Sequence, residues 1–210
     1  MRGTWKGAVL AVLPLLAACA TGGGQPAAAT PKAPVATAAA PSPDSPGAVS
    51  AAPACSGRPT PAQTEGPYFK AGSPERSSLI DPGIAGTRLL VSGRVFSADC
   101  RALGGAVLDF WQADGSGRYD NAGYRLRGHQ AADGEGRYAL TTVVPGEYPG
   151  RTEHIHVKVA VSGKPLLTTQ LYFPGVARNA SDGIFDAALV MSVGEGAGGR
   201  SAAFDFVLRT

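Results

Sequence analysis

Two of the chain's three histidines stand close together in the segment VPGEYPGRTEHIHVKVA, residues 144–160. A β-strand here would place His154 and His156 on one face, while Ile155 and the valines that follow it would occupy the other. The two imidazoles would lie roughly 6.5–7 Å apart along the strand, a spacing that suits one metal ion if the rings converge. The alternative for an isolated pair of this kind is a solvent-facing polar edge with two ordinary histidines.

Two tyrosines in turn-like segments offer a second type of ligand. Tyr148 lies in PGEYPGR, and Tyr119 follows the DGSG turn in FWQADGSGRYD, so neither phenol is placed inside a predicted strand. Imidazole nitrogen suits iron, and phenolate oxygen favours the ferric over the ferrous ion. The four residues therefore predict an iron site. Tyr124, in the loop YDNAGYRLRG, is the alternative to Tyr119, and a copper or zinc site is the alternative to iron.

Short runs of β-branched and aromatic residues must position these side chains. They alternate with turn sequences such as DGSG, DGEG and VSGKP, and helical periodicity is scarce. This spacing predicts an all-β fold, an antiparallel β-sandwich. The predicted strands cover residues 89–96, 106–111, 137–143, 154–161, 166–173, 187–193 and 202–208.

The first 18 residues are predicted to be a lipoprotein signal peptide. Arg2 and Lys6 precede the apolar run GAVLAVLPLL, which is too short to span a bilayer as a helix, and LAAC follows. LAAC resembles a bacterial lipobox, which implies cleavage before Cys19 and a lipid anchor on that residue. Because Ala20 stands where an inner-membrane retention signal commonly has Asp, we expect the outer membrane. An ordinary signal peptide is the alternative.

Residues 19–54 combine the lipidated Cys19 with an Ala/Pro-rich linker that holds few large apolar side chains. Such a segment cannot bury enough surface to offset its ordering entropy, so we predict a disordered tether. Residues 55–210 suffice for one domain with a core. The net charge of +3 comes without a basic stripe interleaved with aromatics, which argues against nucleic acid as a partner.

Two cysteines remain once Cys19 is assigned to the anchor. An even count in an exported domain predicts a disulfide between Cys55 and Cys100. Two free thiols are the alternative. A metal role for the pair is less favoured because the chain has no Cys-x-x-Cys spacing.

The motifs together resemble those of the intradiol ring-cleavage dioxygenases, the family of protocatechuate 3,4-dioxygenase and catechol 1,2-dioxygenase. The matching segments are TEGPYF, FWQADGSGRYD, DGEGRYALTTVVPGEYPGR, HIH and TQLYF. The resemblance implies a β-sandwich that holds a non-haem ferric ion through Tyr119, Tyr148, His154 and His156. It also implies that substrate displaces Tyr148 and that Arg151 stabilises negative charge on the substrate. Gln170 would lie next to the ligands without binding the metal itself.

The implied reaction is cleavage of a catechol with O₂, between the two hydroxyl-bearing carbons, to a cis,cis-muconate-type diacid at the cell envelope. The chain departs from the catabolic enzymes in two respects. The connection PGRTE after Tyr148 is short, and the predicted tether stands in place of a helical N-terminal segment. The sequence thus predicts an exported lipoprotein branch whose catechol is not identified. The rival function is a non-catalytic cell-surface β-sandwich binding module.

Three further aromatic residues have weaker assignments. Tyr68 in TEGPYF is predicted either to border the pocket mouth or to have a packing role. Tyr172 falls in a predicted strand and is interpreted as structural. His129 in RGHQAAD is expected on the surface.

Overall fold

The computed structural model describes residues 55–210, so the predicted signal peptide, Cys19 and the linker lie outside the described residues. The described part contains nine strands, two short 3₁₀ helices (Ala177–Ala180 and Ala187–Leu189) and no helix long and apolar enough to cross a membrane. The strands are β1 Arg88–Ser97, β2 Val107–Trp111, β3 Arg127–Ala131, β4 Arg137–Val143, β5 His154–Val161, β6 Lys164–Tyr172, β7 Ser192–Gly196, β8 Gly199–Ala203 and β9 Phe206–Leu208.

The strands form two sheets, which confirms the predicted all-β sandwich. One sheet has the order β3-β2-β5-β6, and each of its pairs is antiparallel. The other has the order β4-β1-β8-β7, with β9 also pairing with β1. In this second sheet β1 is antiparallel to β4 but parallel to β8 and β9. Parallel pairing needs a long connection, and here the chain passes through β5 and β6 of the other sheet before it returns.

Most predicted strands are confirmed within a few residues, and three parts of the prediction are wrong. Strand β3, with the sequence RGHQA, was missed because it lacks the β-branched residues typical of strands. The predicted strand 187–193 is instead a 3₁₀ turn, and β7 begins at Ser192. The predicted strand 202–208 is divided into β8 and β9, between which the Asp205 carboxylate accepts a hydrogen bond from the backbone of Arg94 (2.7 Å).

Strand β5 is buried on both faces. Ile155, Val157 and Val159 are fully buried in the sandwich core, as the alternation predicts. On the opposite face His154 is 3% exposed and His156 is 1% exposed, so the interpretation as a solvent-facing edge is wrong.

The residues before β1, 55–87, cover that opposite face and are called the covering segment. Gln63 donates its backbone N–H to the carbonyl of Thr168 in β6 (2.8 Å), and Phe69 packs edge-on against Trp111 of β2 (ring centroids 4.9 Å apart). Ser73 Oγ bonds Asp109 Oδ1 (2.8 Å) and His129 Nδ1 (3.1 Å). His129 therefore fastens the covering segment to the sheet and is half-buried, not a free surface residue as expected.

The predicted disulfide between Cys55 and Cys100 is present, with a Cα–Cα distance of 5.7 Å. It ties the start of the covering segment to the turn after β1 across 45 residues of sequence. Closing a loop of that length stabilises the folded state by about 4 kcal/mol on the chain-entropy model.

Reduction of this disulfide is therefore expected to lower the free energy of unfolding by about that amount, roughly 4 kcal/mol. Urea unfolding of the protein with and without a reductant measures the difference. The Cys55→Ser/Cys100→Ser double variant is the control, since a reductant should not change its stability. An unfolding free energy that stays the same after reduction would contradict the prediction.

Candidate metal centre

The two histidines of β5 direct their Nε2 atoms at one point. These two atoms are 3.1 Å apart. The carbonyl of Thr152 accepts a hydrogen bond from His154 Nδ1 (2.6 Å), which fixes the proton on Nδ1 and leaves a lone pair on Nε2. Burial lowers the pKa of His154 to about 4, and burial followed by the proximity of His154 lowers the pKa of His156. Neutral imidazoles with converging lone pairs are the form that binds a metal ion.

The indole ring of Trp111 fixes the orientation of the second imidazole. Trp111 stacks on His156 with ring centroids 4.8 Å apart and an interplanar angle of 6°. The Nδ1 atom of His156 is buried and has no hydrogen-bond partner among the described residues. The ring is therefore oriented by stacking, and the lone pair on its Nε2 is available to bind a metal ion.

Two tyrosines lie beside the histidines. Tyr119 Oη is 3.5 Å from His154 Nε2. The ring of Tyr148 lies 5.6 Å from that of His154 and 5.7 Å from that of Tyr119, measured between centroids. Burial raises the pKa of both tyrosines, so each is a neutral phenol unless a nearby cation stabilises its phenolate. The structure thus brings together the four residues that the sequence predicts as ligands.

A glycine-dependent contact holds the two tyrosine loops against each other. Gly117, at φ 76°, packs so closely on the carbonyl of Glu147 that an added Cβ would collide with it. Gly146 donates its backbone N–H to the carbonyl of Asp114 (2.8 Å). The DGSG turn before Tyr119 and the PGEYPG turn around Tyr148 are therefore packed as one unit.

The alternative ligand, Tyr124, has a partner elsewhere. Its Oη donates to the carbonyl of Ala71 (2.8 Å), and its ring lies under the ammonium of Lys70. Among the described residues no group of three or more His, Cys, Asp or Glu side chains is placed to hold a metal. A zinc or copper site built from such ligands is therefore not formed, and the phenol oxygens are the donors available to complete the histidine pair.

Arg151 forms a hydrogen-bonded network beside Tyr148. Its Nη1 donates to Tyr148 Oη (3.3 Å) and its Nη2 to Gln170 Oε1 (2.5 Å). Its Nε donates to Asp182 Oδ2 (2.9 Å), and this carboxylate is 1% exposed. The predicted residues Arg151 and Gln170 are thus in direct contact with each other.

Sequence reasoning missed Asp182, which orients the arginine. Although burial opposes its ionisation, hydrogen bonds from the Thr152 and Ile184 backbones and from Arg151 hold the pKa of Asp182 below its usual value. Tyr172, interpreted as structural, also belongs to this network, because its Oη lies 3.3 Å from Gln170 Oε1. Asp182 stands outside the matching motifs, and although Tyr172 belongs to TQLYF, its place in a strand pattern does not indicate that its hydroxyl contacts Gln170.

Tyr68 of the covering segment closes the site from above. Its ring stacks on Tyr119 at 4.3 Å and meets the ring of Tyr148 edge-on at 5.9 Å. Both alternatives predicted for Tyr68 therefore apply, since it packs against the two tyrosines and borders their open side.

Comparisons with known proteins identify a family and several relatives. A protein-family model described as "Dioxygenase" matches residues 64–210. The dioxygenase domain of a dioxygenase carbohydrate-binding protein fusion from Streptomyces sp. SirexAA-E has 54% sequence identity and a TM-score of 0.70, and the match covers 73% of this chain and 99% of that domain.

Two curated relatives extend the comparison. Catechol 1,2-dioxygenase 2 of Acinetobacter lwoffii is 31% identical over 142 residues, which is 55% of this chain and 52% of that protein. The protocatechuate 3,4-dioxygenase alpha chain of Burkholderia cepacia is 33% identical over 151 residues, 60% of this chain and 76% of that one. This chain thus spans about half the length of the first relative and three quarters of the second. The family match across the whole described sandwich, together with these relatives, establishes that the chain belongs to the intradiol ring-cleavage dioxygenase family.

Proposed function

We propose that the chain is a non-haem Fe(III) enzyme that cleaves catechol-type aromatics with O₂ to cis,cis-muconate-type diacids. The observation that carries this proposal is the convergence of His154 Nε2 and His156 Nε2, 3.1 Å apart, with Tyr119 Oη 3.5 Å from the former. Membership of the intradiol family supports the same chemistry. The rival binding-module function gives no reason to bury two histidines beside two tyrosines.

The donor set fits a ferric ion. Two neutral imidazoles from His154 and His156 would supply nitrogen, and Tyr119 and Tyr148 would supply phenolate oxygen. Two phenolates would neutralise two of the three iron charges and so favour the oxidised state. A bound ferric ion would supply Lewis-acid and redox chemistry, by which electron density is drawn from a catechol ring and the ring becomes reactive towards O₂.

Tyr148 is the residue placed to accept a proton from the incoming catechol. As a phenolate, its Oη would take the hydroxyl proton and become a phenol, to which Arg151 Nη1, 3.3 Å away, can donate a hydrogen bond. The same guanidinium carries a positive charge at the edge of the site, where it stabilises negative charge that develops on the substrate. Asp182 and Gln170 fix its orientation through Nε and Nη2.

The mouth of the site is bordered by a tight, exposed turn. Arg151 donates its backbone N–H to the carbonyl of Tyr148 (2.9 Å), and Pro149 and Gly150 between them are exposed. The short PGRTE connection therefore does not extend over Tyr148 to enclose the site. We infer that the site admits catechols with bulky substituents.

Oxygen consumption by the iron-loaded protein tests the proposed activity. A panel of catechols, unsubstituted and with bulky substituents, is added while O₂ and the ultraviolet absorbance of a muconate-type product are followed. We expect one O₂ consumed per catechol cleaved, with turnover retained in Tyr124→Phe, which removes a phenol outside the site. Iron-loaded protein that consumes no O₂ with any member of the panel would favour the binding-module function instead.

We also propose that the domain is exported and tethered to the envelope through a lipid on Cys19, with the outer membrane as its location. The support is the basic start, the short apolar run and LAAC in the first 19 residues. Cys19→Ser should move the protein from the membrane fraction to the soluble fraction of the envelope. Cys55→Ser, which also removes a thiol, should leave it membrane-bound. Unchanged membrane association of Cys19→Ser would contradict the anchor.

A further inference from the structure

Arg127, the first residue of β3, is a buried cation whose hydrogen bonds go to backbone carbonyls. The residue is 2% exposed. Its Nη1 donates to the carbonyl of Tyr68 (2.6 Å), and its Nη2 and Nε donate to the carbonyl of Asp120 (3.0 and 3.3 Å). Among the described residues no carboxylate forms a salt bridge with it. A buried charge without a paired carboxylate is costly, and these hydrogen bonds to two carbonyls are its compensation.

Both carbonyls belong to the immediate surroundings of Tyr119. Asp120 follows Tyr119 in the chain, and the Tyr68 ring stacks on the Tyr119 ring at 4.3 Å. The guanidinium carbon itself lies 6.0 Å from the centroid of Tyr119. One side chain thus ties the backbone next to Tyr119 to the segment that covers its ring.

The backbone before Arg127 is held in a conformation that a leucine rarely adopts. Leu126 has φ 53°, in the left-handed region, and is buried. A non-glycine residue in this region costs on the order of 1–3 kcal/mol, and it persists where the surrounding structure over-determines it. The strained turn leads into β3 and sets Arg127 opposite Trp111, the residue that stacks on His156.

The turn that carries Tyr148 packs against the turn of Tyr119, but among the described residues no arginine side chain donates to the backbone beside Tyr148. Tyr148 is half-buried between the exposed residues Glu147 and Pro149, and its Oη accepts a hydrogen bond of 3.3 Å from Arg151. Tyr119 is therefore held both at the neighbouring backbone and on its ring face. Tyr148 lies beside the Arg151 guanidinium, which can still donate to its hydroxyl after the residue has left the metal. This asymmetry distinguishes two ligands of the same chemical type.

We propose that Arg127 is a positioning residue that fixes Tyr119 in the ligand set, the tyrosine that the family resemblance implies substrate does not displace. The inference rests on the proposed function, because it presupposes iron at the two histidines and two tyrosines. Arg127 acts through the carbonyls of Asp120 and Tyr68, which it holds on either side of the Tyr119 ring.

The test uses Tyr148→Phe as its background, because Tyr119 is then the one phenol left in the ligand set. In iron-loaded Tyr148→Phe, visible tyrosinate-to-iron absorption and the tyrosinate bands in resonance Raman spectra report on Tyr119 alone. Adding Arg127→Met, which keeps an unbranched apolar stem, should abolish or shift this absorption and raise the iron dissociation constant by about 10- to 100-fold, the usual effect of losing a group that orients a ligand. Adding Arg127→Lys should restore part of both.

A matched control separates positioning from general stability. Arg76→Met removes an arginine that also donates to backbone carbonyls in this region, those of Arg127 and Tyr124, but has no contact with Tyr119. In the same background it should keep the absorption even if the melting temperature falls as far as in Arg127→Met. Identical spectra and iron affinity in Tyr148→Phe with and without Arg127→Met would overturn the proposal. Absence of any tyrosinate absorption in Tyr148→Phe itself would instead overturn the ligand set and with it the proposed function.

Discussion

His156→Ala is expected to yield a folded protein that no longer retains iron. The imidazole it removes supplies one of two Nε2 atoms that converge within 3.1 Å, and no other described His, Cys, Asp or Glu side chains are grouped to replace it. Loss of one donor from a four-residue set leaves too few ligands for tight binding, so we expect at least about a 100-fold weaker site. Iron content after dialysis against a weak chelator measures the effect.

The third histidine of the chain is the matched control for this substitution. His129→Ala removes the hydrogen bond to Ser73 and leaves the converging pair intact. It should lower stability slightly and retain iron at the level of the wild-type protein. Equal iron retention in His156→Ala and His129→Ala would contradict the assignment of the histidine pair as ligands.

Arg151→Met is expected to keep iron and its colour while turnover falls by about 10²–10³-fold, the usual loss when one preorganised electrostatic donor is removed from a site. The guanidinium contacts Tyr148 Oη and Gln170 Oε1, so its removal leaves the displaced phenol and the charge on the substrate without their donor. The readouts are kcat from oxygen uptake and the iron content of the same preparation. Asp182→Asn, which weakens the anchor on Arg151 Nε, should give a smaller decrease.

The control for Arg151 is an arginine on the same side of the site. Arg178 donates to the carboxylate of Glu147 (2.6 Å), beside Tyr148 in the chain, and is partly exposed to solvent. Arg178→Met should therefore leave kcat close to that of the wild-type protein. Unchanged turnover in Arg151→Met would remove this residue from the mechanism.

The sequence predicts the parts of the site that depend on local pattern. Alternation in HIHVKVAV places Ile155 and Val157 in the core and both histidines on one face, as found. The turn sequences around Tyr119 and Tyr148 locate both phenols in loops, and the two cysteines of the domain form the predicted disulfide. Each of these inferences needs only neighbouring residues or a count.

The parts that the sequence does not predict depend on contacts between distant segments. Burial of the histidine face requires the residues before β1 to lie across β2 and β5, and that segment has no periodicity to indicate it. Asp182 reaches Arg151 across 31 residues of sequence, and Arg127 reaches the carbonyl of Tyr68 across 59. Hydrogen bonds to backbone carbonyls leave no trace in residue type at the accepting position, so such a clamp is visible only once the fold is known.

Iron analysis with visible absorption, before and after anaerobic addition of catechol, tests the central claim most directly. Protein purified from iron-replete cells is expected to hold one ferric ion per chain, to be red-brown from tyrosinate-to-iron charge transfer, and to change its absorption when catechol binds. Two results would contradict the proposed site of Tyr119, Tyr148, His154 and His156. One is folded protein from iron-replete cells that holds no iron. The other is protein that holds iron but shows neither tyrosinate absorption nor a catechol-dependent change.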